Sequence, residues 1–157
     1  MPNICPSRGR RRAFTLVEIL IVVIILGILA AIVVPQFASA STDSRNSVVA
    51  RNLQSLAEQF LLYEARHGVF PEDAYPGQLP PGMAGMVDPA FFAQPTPIGG
   101  QWDWDFNQFG VQAAISIHLP ARTAIEMAAI DRLIDDGDLQ TGRFRADNDR
   151  YLFVIRQ

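Results

Sequence analysis

Two groups of acidic side chains in this sequence have the chemistry to bind a cation. In the first, Asp103, Asp105 and Asn107 stand two residues apart, as the leading ligands of a calcium-binding loop do. Such a loop also needs glycine at its sixth position and glutamate at its twelfth, where this chain has Gln108 and Ala114. Large aromatic residues alternate with these polar ones, so the spacing favours a β-strand over a calcium site.

The second acidic group surrounds Gly137 and consists of Asp135, Asp136 and Asp138. It offers hard oxygen ligands close together, which suits calcium better than the first group does. An exposed Asp-Gly turn has the same composition without any metal. We predict that the chain uses no cofactor, and we keep calcium at this turn as the alternative.

Residues for catalysis or nucleic-acid binding are sparse. His67 and His118 stand far apart, without a paired histidine or cysteine nearby, which argues against zinc. The sequence contains no nucleophile elbow, phosphate-binding loop or dinucleotide fingerprint. The alternative for Trp102 and Trp104 is a stacking platform for a sugar or single-stranded DNA, but a core position is the favoured interpretation. Four of the thirteen basic residues precede position 13, and the acidic remainder disfavours nucleic acid. No enzymatic activity is therefore predicted.

An apolar segment near the N-terminus contains one charged residue. Phe14 to Val34 are 21 residues, of which only Glu18 is charged. A helix of that length spans about 31 Å, close to one hydrocarbon core. An ordinary secretory signal would have a shorter apolar region and a small-residue cleavage site. Arginines 8, 10, 11 and 12 precede the segment and should remain cytoplasmic. A carboxylate in such a segment usually has a partner.

The stretch from Ala13 to Glu18, the apolar run and Pro35 resemble the N-terminus of type IV pilins and type II secretion pseudopilins. The resemblance implies that residues 1–13 are a basic leader, cut between Ala13 and Phe14, and that Phe14 is then N-methylated. It also implies that Glu18 is the assembly glutamate, paired with the amine of a neighbouring subunit. Pro35 would kink the helix.

The residue before the expected cleavage site departs from the family pattern. Pilin precursors usually have glycine there, whereas this chain has Ala13, with Gly9 four residues earlier. Cleavage after Gly9 would leave three arginines against the apolar segment and would move Glu18 away from the new terminus. We therefore predict cleavage after Ala13, whose small side chain the peptidase should accept.

The elements beyond the apolar segment predict a small α+β head behind a long helix. Residues 14–35 would be the transmembrane and assembly helix, and 36–67 its amphipathic continuation, with an apolar stripe at Val49, Leu53, Leu56, Phe60 and Tyr63. Gly68 would cap it. The head would comprise 68–157, opening with a connection over 68–100 that contains seven prolines and six glycines. Alternation predicts strands over 101–107, 115–119 and 150–155, and a capping box predicts a helix from Thr123 to about Ile134.

Together with these features, the resemblance predicts a pilin-like subunit stored in the bacterial inner membrane before it joins a periplasmic or cell-surface filament. The partners that it implies are other copies of the chain and other pilin-like subunits, the prepilin peptidase and methyltransferase, and an inner-membrane assembly platform with its ATPase. Either a type IV pilus or a secretion pseudopilus fits. The alternative is a single-pass anchored periplasmic binding module or enzyme that does not polymerise.

Overall fold

A computed structural model describes residues 14–157, so Ala13, Cys5 and the basic leader lie outside the described residues. The chain forms two compact units, one ending at Ala40 and the other comprising Ser41–Gln157. The elements are α1 (Leu16–His67), α2 (Pro89–Ala93), β1 (Gln101–Phe106), β2 (Ala113–His118), α3 (Ala124–Ile134), β3 (Phe144–Asp147) and β4 (Arg150–Arg156).

The described part of the first unit is helical from Leu16 onward. Its apolar side chains are exposed, and none of its most apolar 18-residue window is buried. By length and composition this stretch is able to cross a membrane. Pro35 lies inside the helix, and the Ser39 hydroxyl donates a hydrogen bond to the Pro35 carbonyl at 3.2 Å. Because proline has no N–H, one helical hydrogen bond is missing here.

The second unit begins with the amphipathic part of α1. Val49, Leu53, Leu56 and Phe60 of the predicted stripe are buried, and Tyr63 packs partly buried against the same core. The helix ends at His67, after which the next residue, a glycine, adopts a φ of +79° and donates its N–H to the Glu64 carbonyl at 2.7 Å. Glycine takes this left-handed conformation without strain.

A four-stranded antiparallel sheet faces this part of the helix, in the order β1-β2-β4-β3. The core between them is aromatic: Phe60 stacks on Trp104, with ring centroids 3.9 Å apart and planes 15° from parallel. The indole N–H of Trp104 donates to the Pro71 carbonyl at 3.1 Å. Trp102 and Trp104 are both buried, so the alternative of an exposed stacking platform is wrong.

The proline- and glycine-rich connection packs against the same core through Phe70, Met83 and Phe92, which are buried. It contains the short helix α2, whose N-cap Asp88 accepts a hydrogen bond from the backbone N–H of Ala90. The predicted class is confirmed: a long N-terminal helix and a small antiparallel sheet in an α+β chain.

Candidate assembly site and acidic clusters

The N-terminus of α1 is closed by a capping box. Oε2 of Glu18 accepts hydrogen bonds from both the backbone N–H and the hydroxyl of Thr15, each at 2.9 Å. In return the Glu18 backbone N–H donates to the Thr15 hydroxyl at 3.2 Å. The Thr15 carbonyl accepts from the Ile19 N–H, so Thr15 is the N-cap and Glu18 the third helical residue.

This arrangement engages only one of the two carboxylate oxygens of Glu18. Within residues 14–157, Oε1 makes no hydrogen bond or ion pair, and the side chain is exposed. Phe14 is also exposed, at 76% of its surface, one turn before Glu18. Among the described residues, the first turn of the helix therefore holds Glu18 through Oε2 alone.

The acidic residues of β1 bind an arginine of the same chain. Nη1 of Arg150 lies 2.7 Å from Oδ2 of Asp103 and 2.8 Å from Oδ1 of Asp105. The ring of Phe109 covers the guanidinium, at 4.3 Å from its centroid. Asp103 and Asp105 are 2% exposed, so the predicted half-buried strand is wrong on this face, because Arg150 and Phe109 cover it.

Burial also changes the titration of this pair. Desolvation, and then the charge of Asp105, raise the pKa of Asp103 to about 7, although Arg150 acts in the opposite direction. Desolvation likewise raises the pKa of Asp105. One guanidinium thus leaves the two carboxylates incompletely compensated, and a proton on Asp103 relieves their repulsion near neutral pH.

The two histidines contact different partners. His118 Nε2 lies 3.0 Å from Oδ2 of Asp149, and this contact lowers the pKa of Asp149. His67 stacks on Tyr63, with centroids 4.1 Å apart, and its Nδ1 lies 2.9 Å from the Tyr63 carbonyl. The structure does not bring the two histidines into a common cluster.

The second acidic group has a membership that the sequence pattern missed. Carboxylate oxygens of Asp131, Asp135 and Asp136 all lie within 4.8 Å of one another. Asp138 instead accepts a hydrogen bond from the Gln140 N–H at 3.0 Å. The sequence analysis did not single out Asp131; the signal that could have found it is its place four residues after Met127, on the same buried face of α3. Three carboxylates in this space form a donor set that suits calcium.

Comparisons with known proteins match the N-terminal part of the chain. Residues 8–34 match the family model of the prokaryotic N-terminal methylation motif. The type II secretion system core protein G of Pseudomonas aeruginosa is 38% identical over 65 residues, which are 41% of this chain and 46% of that protein. The type IV major pilin protein PilA of Myxococcus xanthus is 43% identical over 63 residues, 40% of this chain and 26% of the pilin.

The chain thus spans less than half the length of either relative, and no solved structure matches it. The matched motif coincides with the basic stretch, the Thr15–Glu18 capping box and the exposed apolar helix. In this N-terminal region, the chain is thus similar to a type II secretion system core protein and to a type IV major pilin.

Proposed function

We propose that this protein is a structural subunit of a type IV pilus-like or type II secretion pseudopilus filament. It is made as a membrane-anchored precursor, cleaved between Ala13 and Phe14, N-methylated at Phe14 and then polymerised through its N-terminal helix. The observation that carries this proposal is the exposed apolar helix under the methylation motif of residues 8–34.

The exposed surface of this helix requires a cover in every state of the protein. Before assembly the lipid hydrocarbon provides it, since the helix has membrane-spanning length. After assembly the equivalent helices of other subunits replace the lipid, and packing between helices holds the bundle together. A helix with apolar residues on all sides fits both environments, whereas an amphipathic helix would fit only one.

Glu18 makes the replacement of lipid by neighbouring helices selective. Cleavage before Phe14 creates an amine one turn from Glu18, and a single methyl group leaves that amine protonated. The Oε1 atom of Glu18, which makes no hydrogen bond within residues 14–157, accepts the amine of a neighbouring subunit while Oε2 stays on Thr15. In a low-dielectric bundle both charges need such a partner, because an isolated charge there is costly.

The proposed location of the head follows from the positive charge of the leader. The arginine-rich leader stays in the cytoplasm, so the head lies on the outer side of the inner membrane. Partners are a prepilin peptidase and methyltransferase, an assembly platform with its ATPase, and other pilin-like subunits. The chain is proposed to act as their substrate and building block and to catalyse no reaction itself.

Fractionation of cells tests this function. Filaments sheared from the envelope, or extracted from the periplasm, should contain this chain and sediment at high speed. The alternative, a single-pass anchored binding module or enzyme, would remain entirely in the detergent-soluble membrane fraction as separate subunits. The second result in cells that express the assembly platform would contradict the proposal.

A further inference from the structure

A cavity lies over the outer face of the sheet, the face that turns away from helix α1. Asp103 and Asp105 alternate along β1 with the two core tryptophans, so their carboxylates lie on the opposite side of the sheet from the core. The cavity has a volume of about 200 Å³. Its lining includes Asp73, Tyr75, Asp103, Asp105, Phe109 and Arg150. We call it the outer cavity.

Two carboxylate oxygens in the buried part of the outer cavity have no partner. Oδ1 of Asp103 and Oδ2 of Asp105 make no hydrogen bond among residues 14–157, although each residue is only 2% exposed. The other oxygen of each carboxylate contacts Nη1 of Arg150. Buried polar atoms are almost always hydrogen-bonded, and a buried charge is costly without compensation. These two oxygens therefore indicate a hydrogen-bond donor from outside the described chain.

The charge around the outer cavity is negative. Asp73, Asp103 and Asp105 line it together with a single cation, Arg150. Desolvation, then the charge of Asp105 and, to a smaller extent, that of Asp73 raise the pKa of Asp103, whereas Arg150 lowers it. One guanidinium thus balances only part of the charge of three carboxylates. A second cation that enters the cavity gains more from the carboxylates than it loses to Arg150.

The rim of the outer cavity is exposed and partly aromatic. Tyr75 is 77% exposed and Phe109 is 39% exposed. The ring of Phe109 already covers one guanidinium, that of Arg150. Asp73 is exposed as well, and its Oδ1 accepts the Phe106 N–H at 3.0 Å. Aromatic faces beside carboxylates favour a planar, weakly hydrated organic cation.

We propose that the outer cavity binds the arginine side chain of a partner protein. A guanidinium presents five N–H donors in a planar fork that matches carboxylates, and it stacks on aromatic rings. The ammonium group of lysine is a strongly hydrated point charge and should bind less tightly. A metal ion fits less well, because Nη1 of Arg150 already lies 2.7 Å and 2.8 Å from the two buried carboxylates.

The position of the outer cavity favours a partner from outside the filament. The sheet packs on α1 through its other face, so a filament that covers α1 leaves the outer cavity accessible; this step alone rests on the proposed function. Arg45, Arg51 and Arg66 of the chain itself are exposed on α1, on the side that the filament covers. A protein that meets the filament surface therefore supplies the arginine.

Titration of the isotope-labelled full chain in detergent with N-acetyl-arginine amide tests this inference without any filament. The probe should shift the amide resonances of Tyr75, Phe109 and Arg150 saturably at about 1 mM, a typical affinity for a ligand of its size. N-acetyl-citrulline amide, its neutral isostere, should shift none of them. No saturable shift, or equal shifts from the two probes, would overturn the proposal and would leave the proposed filament function untouched.

Two adjacent exposed carboxylates provide a matched pair of variants. Asp73→Asn keeps an acceptor for the Phe106 N–H and removes one charge from the rim, so it should weaken binding of the probe about fivefold. Glu72→Gln removes a charge outside the cavity lining and should leave the affinity nearly unchanged. Equal effects of the two variants would show that the probe senses only net charge, which contradicts a site at the outer cavity.

The affinity for the probe should increase as pH rises from about 5 to 8. Burial and its acidic neighbours raise the pKa of Asp103 to about 7, and the cation binds the deprotonated form. The other ionisable groups around this carboxylate are Asp73, Asp105, Asp149, His118 and Arg150. Over this range each of them keeps its charge or becomes less positive, so all act in the same direction. An affinity that falls with rising pH would overturn the proposal.

Sedimentation of the full chain in detergent identifies the source of the arginine. If a partner protein supplies it, the mass of the chain should not increase with concentration through the outer cavity. Self-association that Asp73→Asn abolishes would make a second copy the occupant and would contradict the assignment to another protein.

Discussion

Glu18 and Thr15 cap the N-terminus of helix α1 reciprocally: one carboxylate oxygen accepts both the N–H and the hydroxyl of Thr15 at 2.9 Å. Thr123 and Glu126 make the same capping box at the start of α3. In α3 the glutamate serves only its own helix and Arg122. In α1 the same local geometry keeps a carboxylate at the membrane end of an exposed apolar helix.

Substitutions at these two positions separate capping from assembly. Glu18→Gln keeps an oxygen for the cap and removes only the charge, so filaments should be lost while the membrane-bound subunit accumulates. Breaking a buried ion pair from one side costs about 3–5 kcal/mol. Thr15→Val removes the cap hydroxyl and should lower the stability of the helix by about 1 kcal/mol. Filaments should still form in this variant. The measurement is the amount of subunit in sheared filament and membrane fractions. A normal yield of filaments from Glu18→Gln would show that assembly does not depend on the charge of Glu18.

The head should fold without the apolar helix. All members of the core cluster lie at or beyond Val49, and the second compact unit begins at Ser41. A fragment of residues 36–157 is therefore expected to be soluble, with a mixed helix and strand circular dichroism spectrum and a cooperative melt. A random-coil spectrum would contradict the domain boundary that we predict.

The stability of the head should depend on pH through Asp103. Its pKa rises from 3.8 to about 7 on folding, so the folded state binds the proton more tightly. The free energy of unfolding therefore falls as pH rises from about 4 to 7. Glu126 acts at lower pH: its folded pKa is about 2, and its contribution is lost on acidification below 4.5.

Melting curves between pH 4 and 8, recorded in chelator, measure this dependence. Asp103→Asn should flatten the decline above pH 4, while the raised pKa values of Asp105 and Asp131 leave a residual slope of the same sign. If stability declines by the same amount in Asp103→Asn, a group other than Asp103 causes the pH dependence.

Arg150 should be indispensable to the head. Arg150→Met leaves Asp103 and Asp105 buried without a cation, which should cost about 3–5 kcal/mol. Urea unfolding of the full chain in detergent measures the loss. Adding Asp103→Asn and Asp105→Asn to the same chain should restore much of it, since neutral amides need no counter-charge. No recovery in the triple variant would point to lost packing under Phe109 instead.

The parts of this fold that depend on neighbouring residues could be predicted from sequence, and those that depend on distant ones could not. The capping box joins Thr123 and Glu126, which are three positions apart, and it predicted α3 correctly. Alternation located β1, yet the burial of Asp103 depends on Arg150, which is 47 residues away. Strand β3 has four residues, of which only Phe144 is buried, too few to establish a period.

In the candidate sites, too, contributions from neighbouring residues could be predicted from the sequence and those from distant residues could not. The Asp-Gly turn marked Asp135 and Asp136, but Asp131 joins them only because α3 ends beside the loop. At Glu18 the resemblance to pilins predicted the assembly role but not the capping box. The Thr-x-x-Glu spacing of Thr15 and Glu18 is the sequence feature that indicates that box.

The intact mass of the chain recovered from filaments tests the central claim most directly. The account predicts a chain that begins at Phe14 and carries one additional methyl group, with fragmentation placing that group on the Phe14 amine. A filament subunit that retains Met1 or Pro2, or that begins after Gly9, would contradict it.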